Sequence, residues 1–223
     1  MVPHFITALT GPINELEQRI IDSTPAIERW FRLEWMEHTP PFYASIDLRN
    51  SGFKLAPVDT NLFPSGWNNL TEPMLPLAVQ ATMASIEKIC PEARNLLIIP
   101  ENHNRSPSYL ASLAQLQRIF KMSGLNVRLG SISPDVKKPV EINLPTGQSV
   151  VLEPVVRTKR RLGVKHFDPC TILLNNDLSA GVPGILEDIH AQYLLPPLHA
   201  GWRVLRKSNH FRSYEVVAQR FGT

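Results

Sequence analysis

Asp47, Arg49 and Lys54 fall in one short stretch, Asp47-Leu48-Arg49-Asn50-Ser51-Gly52-Phe53-Lys54. Alternation puts Asp47 and Arg49 on one strand face, and a return strand after Asn50-Ser51-Gly52 brings Lys54 alongside. A guanidinium grips a carboxylate through two hydrogen bonds, and a carboxylate takes an amine. Together these groups suit a zwitterionic amino acid. The same residues also make an ordinary surface ion pair, which contributes little.

The next stretch, Val58 to Asn69, gathers Asp59, Asn61, Asn68 and Asn69 with Phe63 and Trp67. Amides donate and accept, and aromatics exclude water, a mixture that suits a small polar ligand. Asparagines in loops equally well cap their own backbone. A third group sits at strand ends: Glu101-Asn102-His103-Asn104-Arg105 after one, Asn175-Asn176-Asp177 after another. Ligands of open α/β sheets bind beyond the carboxyl ends of strands, and the helix start at Ser106-Pro107 favours an anion. The fourth runs from His199 to Arg203 and on to Arg206, Lys207 and Ser208, with Ser208 placed as a helix cap. Its cations suit phosphate or carboxylate, or simply a solvated basic loop. The denser run Arg157–Arg161 reads as an exposed turn without a site. The sequence has no P-loop, GxGxxG, HExxH or GxSxG pattern. Cys90 and Cys170 read as packed thiols.

The elements that must position these groups are legible in outline. Residues 11–37 read as helical, with Ser23-Thr24-Pro25 supplying a cap and a first-turn proline, and Ile27, Trp30, Phe31 and Trp35 extending an apolar stripe. Residues 42–49 read as a half-buried strand with Phe42, Ala44, Ile46 and Leu48 on the covered face. A helix follows from about Pro73 to Cys90. Strand Asn95–Pro100, a capped helix from Ser106 to about Ser123 and strand Leu125–Leu129 form a crossover unit. Residues 139–154 read as an added hairpin, Thr171–Leu174 as a buried strand, 195–211 as a loop, and a last helix begins near Arg212. The expected class is α/β: an open mixed sheet with helices on both faces, a Rossmann-like crossover and an inserted β-hairpin. The expected division is a substrate-binding region over 1–72 and an α/β domain over 73–223.

Composition bounds the function. The chain has 223 residues, 43% hydrophobic and 19% charged, with a net charge of +3. That excludes a disordered chain or a coiled coil. The small excess charge argues against a nucleic-acid partner. No apolar run approaches the roughly 18 residues of a membrane span, and the N-terminus lacks a secretory pattern. A cytoplasmic protein is expected.

The stretches WFRLEWMEHTPPFYASIDLRNSGFKLAPVDTNLFPSGWNNL, IEKICPEARNLLIIPENHNR, FDPCTILLNNDLSAGVP and PPLHAGWRVLRKSNHF resemble the proteobacterial glutamate–cysteine ligase family, of the type found in acidophilic iron-oxidising bacteria. The likeness runs in order over nearly the whole chain. It implies an ATP-dependent, ATP-grasp-like ligase that joins L-glutamate and L-cysteine through an acyl phosphate, with Mg2+ screening the phosphates. Under it, Arg49 takes the glutamate α-carboxylate and Asp47 or Asp59 its amine. Asn61, Asn68 and Asn69 line the pocket, with Lys54, Asn176 and Asp177 as further candidates, and Arg206, Lys207 and Ser208 face phosphate. Members of the family look about twice as long, which implies that the ATP-binding C-terminal half is missing here and that these residues alone are inactive. The alternatives are a non-catalytic α/β module that binds an amino acid without any ATP effect, and a nucleic-acid binder using Arg157–Arg161 and Arg203–Lys207.

Overall fold

The structure is a computed structural model that describes residues 9–102, 105–201 and 206–222. Its elements in chain order are β1 (Leu9–Thr10), α1 (Ile13–Glu37), β2 (Ser45–Asn50), β3 (Lys54–Asn61), α2 (Leu75–Ile89), β4 (Asn95–Pro100), α3 (Pro107–Met122) and β5 (Asn126–Ser131). They continue with β6 (Val140–Asn143), β7 (Ser149–Pro154), β8 (Val156–Thr158), β9 (Arg161–Gly163), β10 (Thr171–Asn175), β11 (Tyr193–Leu195) and α4 (Lys207–Gly222). The chain forms two compact units, residues 1–62 with 204–223, and residues 63–203. The fold is mixed α/β, as expected.

In the second unit a six-stranded sheet runs in the order β11-β10-β4-β5-β7-β6. The first four pairings are parallel, and β6 closes the edge antiparallel to β7. The expected hairpin over 139–154 is therefore the edge of the main sheet. Leu96 to Ile99 and Ile172 to Leu174 are almost fully buried in succession. Successive residues point to opposite faces, so both faces are covered there, which is why these strands read as unbroken apolar runs.

Helix α3 links parallel neighbours β4 and β5. Ser106 Oγ accepts a hydrogen bond from the Tyr109 N–H at 3.3 Å, and Pro107 occupies the first turn, where its missing N–H costs nothing. Leu110, Leu113, Leu116, Ile119 and Phe120 form the buried stripe, as their spacing predicts. Gly124 ends the helix at φ +87°. The Leu125 N–H donates to Phe120 O and the Gly124 N–H to Lys121 O, the reciprocal closure that a left-handed residue after a helix permits.

The first unit is built differently. A small antiparallel sheet in the order β1-β3-β2 accompanies α1 and α4. Helix α1 is continuous through Pro25, so the cap expected at Ser23-Thr24-Pro25 does not begin a new element. Pro25 has no N–H to give its turn, while Thr24 Oγ1 donates to Ile20 O at 3.0 Å. The half-buried reading of β2 is corrected: Ile46 and Leu48 are each more than half exposed. Their alternation holds, and the face meets α4 at Thr60, opposite Ile46 and hydrogen-bonded to His210, yet both apolar side chains stay more than half open. Helix α4 begins at Lys207, five residues before the expected start near Arg212. The Arg206 carbonyl accepts from Asn209 and His210, so Arg206 holds the cap position and Ser208 lies inside the first turn.

Candidate functional site

Strand register assembles the polar face of the first unit. Asp47 stands directly opposite Asp59, Ser45 opposite Asn61, and Arg49 opposite Ala56, with a bulge after the Asp47–Asp59 pair. Asp47 and Arg49 share a face two residues apart, roughly 6–7 Å along the strand. Two carboxylates directly opposite one another repel. Lys207, from the first turn of α4, relieves this by placing its ammonium 3.1 Å from Asp59 Oδ2. Beside it Thr60 Oγ1 and His210 Nδ1 are 2.8 Å apart. The His210 ring packs on Phe211 and Tyr214, and burial raises the Tyr214 phenol pKa. Asp47 and Arg49 side chains have no hydrogen-bonding partner among the described residues. The structure thus brings together Asp47, Arg49, Asp59, Asn61 and Lys207 in one unit. Lys54 pairs through its backbone with Ser51 at the hairpin turn, and Arg206 and Ser208 are exposed at the start of α4.

The second unit holds the remaining candidates at the carboxyl ends of β4 and β10. Tyr109 O–H lies 3.1 Å from both the Asn175 carbonyl and Asn175 Oδ1, and accepts from the Glu101 N–H at 2.9 Å. Burial pushes the Tyr109 phenol well above its ordinary value, which keeps it protonated as a donor. Glu101 Oε1 accepts from the Asp177 N–H at 2.7 Å, tying the two strand ends together. Asn176 and Asp177 spend side-chain oxygens on their own turn, accepting from Leu178 and Ser179. Asn175 Nδ2 donates to Pro64 O at 2.9 Å. Ser112 Oγ accepts from Gly66 and Trp67 N–H groups, fixing the loop that carries Asn68 and Asn69, both exposed. His103, Asn104, Trp202 and Arg203 lie outside the described residues. Tyr109 and Ser112 escaped sequence reasoning, although Tyr109 stands three residues after the Ser106 cap; Thr60 lay inside the stretch from Val58 to Asn69 without being singled out.

The basic run has structural duties. Arg157 donates to the carbonyls of Lys159, Gly184 and Ile185. Arg161 donates to Asp168, Ala191 and Pro169. Burial and the neighbouring Cys170 push the Cys90 thiol up, away from the thiolate a nucleophile needs. Among the described residues no three His, Cys, Asp or Glu side chains are grouped to hold a metal ion, and no helix is long and apolar enough to cross a membrane.

Comparison with known proteins places the chain in a family of ligases. The family profile described as Glutamate-cysteine ligase matches residues 17–223, and the chain belongs to that family. It is similar to the crystal structure of "Putative gamma-glutamylcysteine synthetase" from Methylobacillus flagellatus KT, with 56% identity and a TM-score of 0.87 over 99% of this chain. The match covers 52% of that structure, so the chain spans about half its length. No curated protein matches the chain.

Proposed function

We propose that this chain carries the amino-acid-binding part of an ATP-dependent glutamate–cysteine ligase, and that the β2–β3 face of the first unit holds L-glutamate. The register that sets Asp47 opposite Asp59, with Arg49 two residues along, carries the reading. Arg49 receives the α-carboxylate as a bidentate pair. Asp47 receives the amine, because Asp59 already holds an ammonium from Lys207. Asn61, opposite Ser45 on the same face, offers an amide to the rest of the substrate. Asn68, Asn69, Asn176 and Asp177 belong to the second unit.

The reaction proceeds by transfer of the ATP γ-phosphoryl group to the glutamate side-chain carboxylate, releasing ADP. The cysteine amine then attacks the acyl carbon, phosphate leaves, and γ-glutamylcysteine forms. Arg206 and Lys207 supply positive charge for the phosphate. The described residues offer no carboxylate cluster suited to magnesium, so we derive no step through it. The proposal extends to a cytoplasmic enzyme of ATP-grasp-like architecture with a Rossmann-like crossover at β4–α3–β5. These 223 residues alone are expected to turn over no ATP with both amino acids present.

Calorimetric titration with L-glutamate tests the clamp. Saturable binding that Arg49→Ala abolishes supports it, with Asp47→Ala costing more affinity than Asp59→Ala. Absence of saturable binding, or binding untouched by Arg49→Ala, removes it.

A further inference from the structure

The first unit leaves uncovered what a folded unit normally hides. Among the described residues its buried apolar side chains are Leu16, Tyr43 and Ala56. Helix α1 runs 25 residues with Leu16 alone buried. Toward its C-terminal end Phe31 stacks on Trp35 with ring centroids 5.8 Å apart, and Trp30 meets Phe31 edge-on at 5.2 Å. Phe221 of α4 closes on Trp30 at 5.1 Å. This aromatic row stays open: Trp35 is 58% exposed, Phe31 42% and Phe221 47%. Val217, one turn before Phe221, is exposed as well, as are Ile46 and Leu48 on β2. A polar edge adjoins the row, where Arg220 and His38 both pair with Glu34. An apolar centre with a polar rim is the composition of a protein interface.

We propose that this face docks polypeptide equivalent to the part of the Methylobacillus flagellatus protein that the present chain does not span, whether that polypeptide is carried on the same chain or on another. The length of the relative favours this occupant. It aligns with 99% of this chain, and the aligned region is 52% of its own length. Nearly as much polypeptide again is therefore available there to cover the face. Where that polypeptide is carried on the same chain, it acts at an effective concentration in the millimolar range, which a free second copy does not reach in dilute solution. A unit this short of buried apolar surface also needs a partner that completes a core, rather than one that merely touches it. The inference concerns packing and stands apart from the assignment of the glutamate clamp.

Amide hydrogen exchange tests it without substrate. Exchange of α1 amides in this chain is compared with exchange of the aligned helix in the full-length relative. Docking predicts at least tenfold slower exchange in the relative around Trp30–Trp35, with this chain sedimenting as a monomer. Equal exchange rates in the two proteins overturn the proposal. So does a concentration-dependent dimer of this chain that protects α1 and is lost in Phe31→Ser with Trp35→Ser, because a second copy is then the occupant. Both side chains are exposed, so the double variant keeps its fold, and the β4 and β10 amides serve as an internal control for global unfolding.

Discussion

The two units solve opposite problems. The second hides a continuous apolar core under polar strand ends. Among the described residues it holds every buried apolar side chain except Leu16, Tyr43 and Ala56. The first unit does the reverse: it exposes apolar helix and strand faces while its register lines up two carboxylates, a guanidinium and an ammonium. Buried apolar packing and the charged cluster to which the proposal assigns glutamate thus lie in different parts of the chain. A core raised around Asp47 and Arg49 would desolvate their charges, and buried charge without a partner is costly. A thinly packed hairpin leaves them hydrated, as the proposed clamp requires.

The widest test of this contrast is apolar truncation in each unit. Leu116 is fully buried on α3, and Leu116→Ala should cost roughly 2–5 kcal/mol through lost burial and a residual cavity. Trp35→Ala removes a larger side chain that is mostly exposed, and should change stability by less than about 1 kcal/mol. Urea unfolding measures both. Equal losses would mean that the first unit has packing comparable to the second.

A smaller effect is expected at Gly163. A Cβ built there meets the Phe167 carbonyl oxygen at 2.4 Å, inside a turn closed by hydrogen bonds between Val164 and Phe167 in both directions. The obstacle is backbone, which cannot swing aside. Gly163→Ala should therefore cost about 1–3 kcal/mol, as overpacking does. A neutral result in the same unfolding experiment would show that the β8–β9 hairpin moves freely against the sheet.

Tyr109→Phe is expected to cost about 1–2 kcal/mol at neutral pH, by leaving Asn175 and the Glu101 N–H short of a partner. It also has a pH signature. The folded state holds the phenol proton more tightly than the unfolded chain, where the value is 10.0. The contribution is full below pH 10 and is lost as pH rises toward the raised folded value. Wild-type stability should fall along this alkaline limb, and Tyr109→Phe should flatten it. An unchanged slope would remove Tyr109 from the strand-end network.

Much of the second unit was legible because its physics is local and periodic. The Ser106 cap, the α3 stripe and the runs in β4 and β10 each announce themselves within a few residues. In the first unit the strand alternation was legible. Alternation set Asp47 and Arg49 on one face, but it also implied that Ile46 and Leu48 were covered, and burial depends on what packs there. The bulge beside Asp47 and the pairing of Lys207 with Asp59, 148 residues apart, follow from tertiary arrangement that no local pattern encodes. The Arg206–Ser208 cluster read as a loop because its polar residues masked a helix start.

The smallest and most discriminating effect belongs to Lys207. Its ammonium is more than half exposed while the Asp59 carboxylate is largely covered, so the pair is partly screened. Lys207→Ala should lower stability by no more than about 1 kcal/mol. The loss should shrink with added salt, because screening weakens both the lost attraction and the Asp47–Asp59 repulsion that it uncovers. Glutamate titration of the same variant sharpens the comparison between the units. If Asp47 alone receives the substrate amine, Lys207→Ala leaves glutamate affinity within a factor of about two. If affinity instead rises severalfold, the substrate amine competes with Lys207 for Asp59, and the role given to Asp47 passes to Asp59. The pH limb set by Tyr109 serves as the control in both cases and should not move.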